Sequence, residues 1–133
     1  MKYFGKLGNL KALVVDDNSI NRKVLTKFLS KWNLVYSEAD DGSTAIELLQ
    51  NESFDIIFMD IHMPKMDGFT TSKQIRNMGI GSPIIAISAD INVLVKSTIQ
   101  DSGMNDYIGK PFDPTILLDK IGKLVKSTPV HTN

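Results

Sequence analysis

The chain has 133 residues, 42% hydrophobic and 23% charged, with fifteen Lys+Arg against fifteen Asp+Glu and no cysteine. That length supports one domain burying roughly two thirds of the surface its unfolded chain would expose, and the balanced charge offers nothing global to attract nucleic acid or an anionic membrane. The missing thiols exclude disulfides, thiol catalysis and thiolate metal sites, and no run approaches the ~18 apolar residues of a membrane span, so a cytoplasmic location is expected.

Residues 1–9 hold glycine and asparagine breakers among few apolar residues and are expected to form a tail or linker. An apolar run from about Lys11 to Val15 stops on Asp16 and Asp17 and reads as a central strand, buried on both faces. A helix follows, with Asn18 or Ser19 as cap and a core stripe of Ile20, Val24 and Phe28, with Leu25, Leu29 and Trp32 alongside. The second strand, Leu34 to Ala39, is more polar, as suits an edge. Asp41-Gly42 opens the second helix, whose buried face is expected to be Ala45, Leu48 and Leu49.

The third strand ends on Asp60. After a turn over Met63 to Gly68, a helix from about Phe69 to Met78 stops at Gly79 and Gly81. The fourth strand follows Pro83 and stops on Ser88, and a short helix is expected over Ile91 to Asp101. A weak strand, Asn105 to Lys110, leads to Pro111. Asp113-Pro114 then supply the cap and first-turn proline of a helix carrying Ile116, Leu117, Ile121, Leu124 and Val125. The domain is expected over 10–126, with 127–133 a tail.

Strand and helix alternate five times, which predicts a doubly wound five-stranded parallel sheet in a three-layer α/β/α arrangement with right-handed crossovers. Placing the two polar strands at the edges gives the order 2-1-3-4-5. The direction of winding then reverses between strands one and three, where such sheets form their ligand crevice. Asp16, Asp17 and Asp60 stand at that crevice, with Ser88 and Lys110 on neighbouring strand ends.

Three crowded carboxylates either hold protons at raised pKa or bind a cation. With no histidine or cysteine at ligand spacing, an all-oxygen site with few protein ligands favours Mg2+ over Ca2+. Phosphoryl transfer needs an in-line nucleophile, a bridging cation and donors for the remaining charge. Asp60 is the candidate nucleophile, Asp17 and Asp60 hold the metal, and Ser88 and Lys110 are the donors.

With Asp16-Asp17, Asp60 before Met63-Pro64 and Asp67-Gly68, Ser88-Ala89 and Lys110-Pro111, the chain resembles the flavodoxin-like receiver domains of two-component response regulators and hybrid histidine kinases. The phrases Asp17 to Arg22 and Gly103 to Tyr107 bring it nearest to the receivers of hybrid kinases. The resemblance implies that Asp60 takes a phosphoryl group from the phosphohistidine of a histidine kinase or histidine phosphotransfer domain. It implies Mg2+ on Asp17, Asp60 and the His62 backbone carbonyl, with Asp16 acting mainly through water. Ser88, where threonine is frequent, and Lys110 would bind the phosphoryl oxygens. Ser88 would move toward them, Tyr107 would turn inward as the switch aromatic, and the Lys110-Pro111 bond would be cis. The fourth helix, fifth strand and fifth helix would carry the signal and could pair two copies of the domain.

Other readings are weaker. A haloacid dehalogenase-type phosphatase usually carries Asp-x-Asp after its first strand and a cap insertion, and here the first acids are adjacent with no insertion. A flavin domain would need a hydroxyl-rich phosphate loop where this chain has two acids. A receiver-like scaffold working without phosphate would not need the full pocket. Asp67-Gly68 reads as cap and turn, with Gly68 supplying backbone freedom. The His62 and Asp90 side chains, flanking the pocket, are candidates for tuning how fast water attacks the acyl phosphate.

Overall fold

The computed structural model describes residues 9–126, so the expected tails at 1–9 and 127–133 lie outside the described residues except for Asn9. Five strands, β1 (Lys11–Val15), β2 (Val35–Ala39), β3 (Ile56–Asp60), β4 (Ile84–Ser88) and β5 (Asp106–Gly109), alternate with five helices, α1 (Ser19–Lys31), α2 (Gly42–Asn51), α3 (Gly68–Asn77), α4 (Val93–Asp101) and α5 (Pro114–Lys126). The strands pair in parallel in the order β2-β1-β3-β4-β5, as the polarity of the edge strands predicts.

Alternation within the buried strands divides the core in two. Ala12, Val14, Ile56, Phe58, Ile85 and Ile87 pack with Leu25, Leu29 and Trp32 of the α1 unit and Leu117 and Ile121 of α5. Leu13, Val15, Ile57, Met59, Ile84 and Ala86 face Ala45, Leu49, Ile75 and Ile99 of α2, α3 and α4. Each helix starts on an Asn or Asp whose side chain accepts backbone N–H groups: Asn18, Asp41, Asp67, Asn92 and Asp113. These caps fix where the loops at the strand ends stop, each contributing about 1 kcal/mol.

Three expectations about the helices need correction. On α1 the buried line is Leu25, Leu29 and Trp32, whereas Ile20 is 70% and Val24 44% exposed. The stripe through Ile20 and Val24 is a separate helical row, turned to solvent because Leu25 and Leu29 face the sheet. Ile116 is likewise exposed, and Leu118, not included in the expected stripe of α5, is buried. Helix α4 begins at Val93 instead of Ile91 because Asn92, capping Val95 N–H, defines its start.

Gly68 is required for space, not for backbone freedom. A Cβ there would overlap the Asp60 carbonyl oxygen and lie 2.7 Å from Ile61 Cα, because α3 starts directly against the end of β3. Across the molecule, Arg76 of α3 donates to the carbonyls of Ile80, Ser82 and Gly103 and to Asn105 Oδ1, at 2.8 to 2.9 Å. One guanidinium thus ties the loop before β4 to the turn before β5.

Candidate functional site

The ends of β1, β3 and β4 and the loop after β5 lie along one edge of the parallel sheet, with β1 and β3 flanking the crevice. Asp16 follows β1 directly, with its N–H donating to the Ala39 carbonyl at 3.1 Å. Asp60 closes β3 and Ser88 closes β4. Lys110 follows β5, its N–H donating to the Ser88 carbonyl at 3.0 Å, and its bond to Pro111 is cis. Asp16, Asp60 and Ser88 are buried and Asp17 is exposed, so the pocket has two interior acids and one at its mouth.

Asp16, Asp17 and Asp60 each present a carboxylate oxygen within 4.8 Å of the others. Lys110 Nζ lies 3.3 Å from Asp16 Oδ2 and 3.9 Å from Asp60 Oδ2. The His62 N–H donates to Asp60 Oδ1 at 3.1 Å, and the Asn18 N–H donates to Asp16 Oδ1 at 2.9 Å. Burial first, and the negative charge of Asp16 second, push the Asp60 carboxyl up to about 7 against the opposing pull of the His62 N–H and Lys110. Three formal negative charges face one lysine, an excess that a divalent cation would offset. The donor set is all oxygen and few in number, and so fits Mg2+.

Of the other predicted residues, His62 is tied to this cluster by its N–H on Asp60 Oδ1. The Ser88 hydroxyl is hydrogen-bonded to the backbone of Asp90, accepting its N–H at 3.0 Å and donating to its carbonyl at 3.4 Å. Asp90 and His62 are both exposed. Tyr107 lies half-buried on the face of β5, with Lys120 Nζ 4.5 Å and Lys96 Nζ 5.4 Å from its ring centroid. Lys120 also bonds the Tyr107 carbonyl at 2.7 Å and Asp106 Oδ1 at 2.8 Å. Sequence reasoning missed these two lysines and Arg22, whose Nη1 donates to the Asp16 carbonyl at 2.7 Å. No local pattern marks them, because their partners lie on other elements.

Residues 12–122 match the family model described as the response regulator receiver domain. The chain is 40% identical over 119 residues to hybrid signal transduction histidine kinase A of Dictyostelium discoideum, covering 85% of this chain but 6% of that protein. Its fold matches a chain in the co-crystal structure of the Saccharomyces cerevisiae histidine phosphotransfer signaling protein Ypd1 and the receiver domain of its downstream response regulator Ssk1. That match has a TM-score of 0.83 at 31% identity and covers 90% of this chain and 91% of that one. The receiver domain of the sensor histidine kinase PA1611 from Pseudomonas aeruginosa, with a magnesium ion coordinated in its active site cleft, matches at TM-score 0.83 and 29% identity, covering 90% of this chain and all of that one. These matches set aside the phosphatase and flavin-domain readings. The strand-end acids, the sheet order and the matched span lead to one conclusion: the chain belongs to the response regulator receiver domain family and is a receiver domain of two-component, phosphorelay signalling.

Proposed function

We propose that this receiver accepts a phosphoryl group on Asp60 from the phosphohistidine of a histidine kinase or histidine phosphotransfer protein, with Mg2+ held by Asp17, Asp60 and the His62 carbonyl. The observation that carries the reading is the meeting of the three aspartate carboxylates within 4.8 Å beside Lys110. In the reaction, an Asp60 oxygen attacks phosphorus, the histidine N–P bond breaks and an aspartyl O–P bond forms. Asp60 must first give up the proton that burial favours. Bound Mg2+ would supply charge neutralisation at the transferring oxygens.

Lys110 is already within reach of Asp60, and Asp16 holds the lysine in that position. Ser88 is the second donor. Among the described residues its hydroxyl is engaged only with the backbone of Asp90, two residues on, bonds that a shift of one short loop exchanges for a phosphoryl oxygen. Tyr107, on the strand that ends near Lys110, is the switch aromatic, and α4, β5 and α5 are the signalling surface. Val93 and Leu94 of α4 are 84% and 75% exposed, and with Ile116 they give that surface apolar contact points, for an output partner or for a second copy. Ile20 and Val24 give another patch, on the helix that starts beside Asp17, suited to the apolar face of a phosphohistidine-bearing helix. His62 and Asp90, both exposed, are the residues proposed to tune water attack on the acyl phosphate.

The test is intact mass after incubation with acetyl phosphate and Mg2+. One added phosphoryl group is expected in the wild type, and none in Asp60→Asn or with EDTA. A folded wild-type chain that takes no phosphoryl group from acetyl phosphate or phosphoramidate would leave the domain as a phosphate-independent scaffold.

A further inference from the structure

Asp16 is fixed at each of its polar atoms. Its N–H donates to the Ala39 carbonyl, Oδ1 accepts the Asn18 N–H, and Oδ2 faces Lys110. Its carbonyl lies past the end of β1, where the ladder to β2 stops, and accepts from a side chain, Arg22 Nη1, at 2.7 Å. The Arg22 side chain is 18% exposed, and its Nε donates to Glu38 Oε1 of β2 at 2.9 Å. The guanidinium therefore bridges the loop after β1 and the edge strand from a position near the start of α1.

The consequence falls on Asp17. The Asp16 carbonyl and the Asp17 N–H belong to one planar peptide unit, so orienting the carbonyl orients the backbone from which Asp17 departs. Asp17 is exposed, and no hydrogen bond or ion pair among the described residues holds its carboxylate. Its approach to Asp16 and Asp60 is thus set by backbone direction. We infer that Arg22, braced by Glu38, is the positioning residue that aims Asp17 into the carboxylate cluster for Mg2+ binding. This inference rests on the reading of that cluster as a Mg2+ site.

Charge and position act in opposite directions here, which makes the role separable. A guanidinium on the backbone carbonyl of one of the three aspartates repels an incoming cation, so if Arg22 acted only through charge, neutralising it would tighten Mg2+ binding. If it were only a staple of the fold, its loss would lower the unfolding temperature and leave affinity unchanged. Only a positioning role weakens binding when the positive charge is removed.

The experiment is isothermal titration of the metal-free chain with MgCl2, with the unfolding temperature of each variant measured in parallel. Arg22→Gln is expected to lose about tenfold in Mg2+ affinity, the low end for partners that orient metal ligands. Arg22→Lys is expected to recover part of it, since an ammonium can reach the Asp16 carbonyl but lacks the second planar donor for Glu38. Glu38→Gln, exposed and still able to accept from Nε, is expected to lose less than Arg22→Gln. Affinity equal to or tighter than wild type in folded Arg22→Gln would overturn the inference. Should that variant not fold, unchanged affinity in both Arg22→Lys and Glu38→Gln would overturn it equally. A wild-type chain that binds no Mg2+ would instead remove the metal reading beneath it.

Discussion

Asp60 is held where a carboxylate is costly to ionise. Burial and the neighbouring Asp16 raise its pKa from the ordinary 3.8 to about 7. The folded chain therefore binds this proton more tightly than the unfolded chain does. The associated stability is fully present below the unfolded value, near pH 4, and is lost as pH rises through about 7. Asparagine keeps the shape without the charge. In EDTA, Asp60→Asn should thus gain stability over the wild type between pH 5 and pH 8, by roughly 2–4 kcal/mol, given about 1.4 kcal/mol for each pKa unit. Urea unfolding at the two pH values checks this, and a difference that does not change with pH would contradict it. Mg2+ added at pH 8 should narrow the gap, because ligand bound only to the folded state stabilises it by mass action.

At the scale of elements, the strand ends were legible because a buried parallel strand is a short apolar run, and the residue that breaks the run marks its end. Asp60 and Ser88 are the last residues of β3 and β4, as read from that rule. The caps were legible too, since Asp41, Asp67 and Asp113 directly precede helical patterns. Orientation was harder. Helix α1 carries two apolar rows, Ile20-Val24-Phe28 and Leu25-Leu29-Trp32, and periodicity alone cannot say which faces the sheet. Single side-chain contacts between elements outside the pocket were not legible, and Arg76 is the clearest case. Arg76→Ala would leave three loop carbonyls and Asn105 without this donor. It should cost about 2–4 kcal/mol, measured by denaturant unfolding, because charged hydrogen bonds and half-buried acceptors are lost together. A loss below about 0.5 kcal/mol, the usual limit for surface substitutions, would show that water replaces the guanidinium without penalty.

Over the whole molecule, the sheet order brings four separate strand ends to one crevice, and α1 starts at its rim. Two apolar side chains expected in the core, Ile20 and Val24, are the exposed ones nearest to that rim on α1. Their exposure is expected to serve docking, and small phosphodonors give the control. Ile20→Glu should slow transfer from a phosphorylated histidine phosphotransfer protein that labels the wild type, by about tenfold, equivalent to about 1.4 kcal/mol of lost association. Labelling by acetyl phosphate should be unchanged. Equal slowing with both donors would place the defect in the pocket and not in docking.

The most direct measurement is the chemical location of the phosphoryl group. After phosphorylation with Mg2+ present, borohydride reduction converts an aspartyl phosphate to homoserine, and peptide mass spectrometry reads its position. The proposed chemistry predicts conversion at position 60 alone, lost in EDTA and in Asp60→Asn. Conversion at Asp16 or Asp17, or a stable phosphate on Ser88 or His62 with position 60 unmodified, would contradict it.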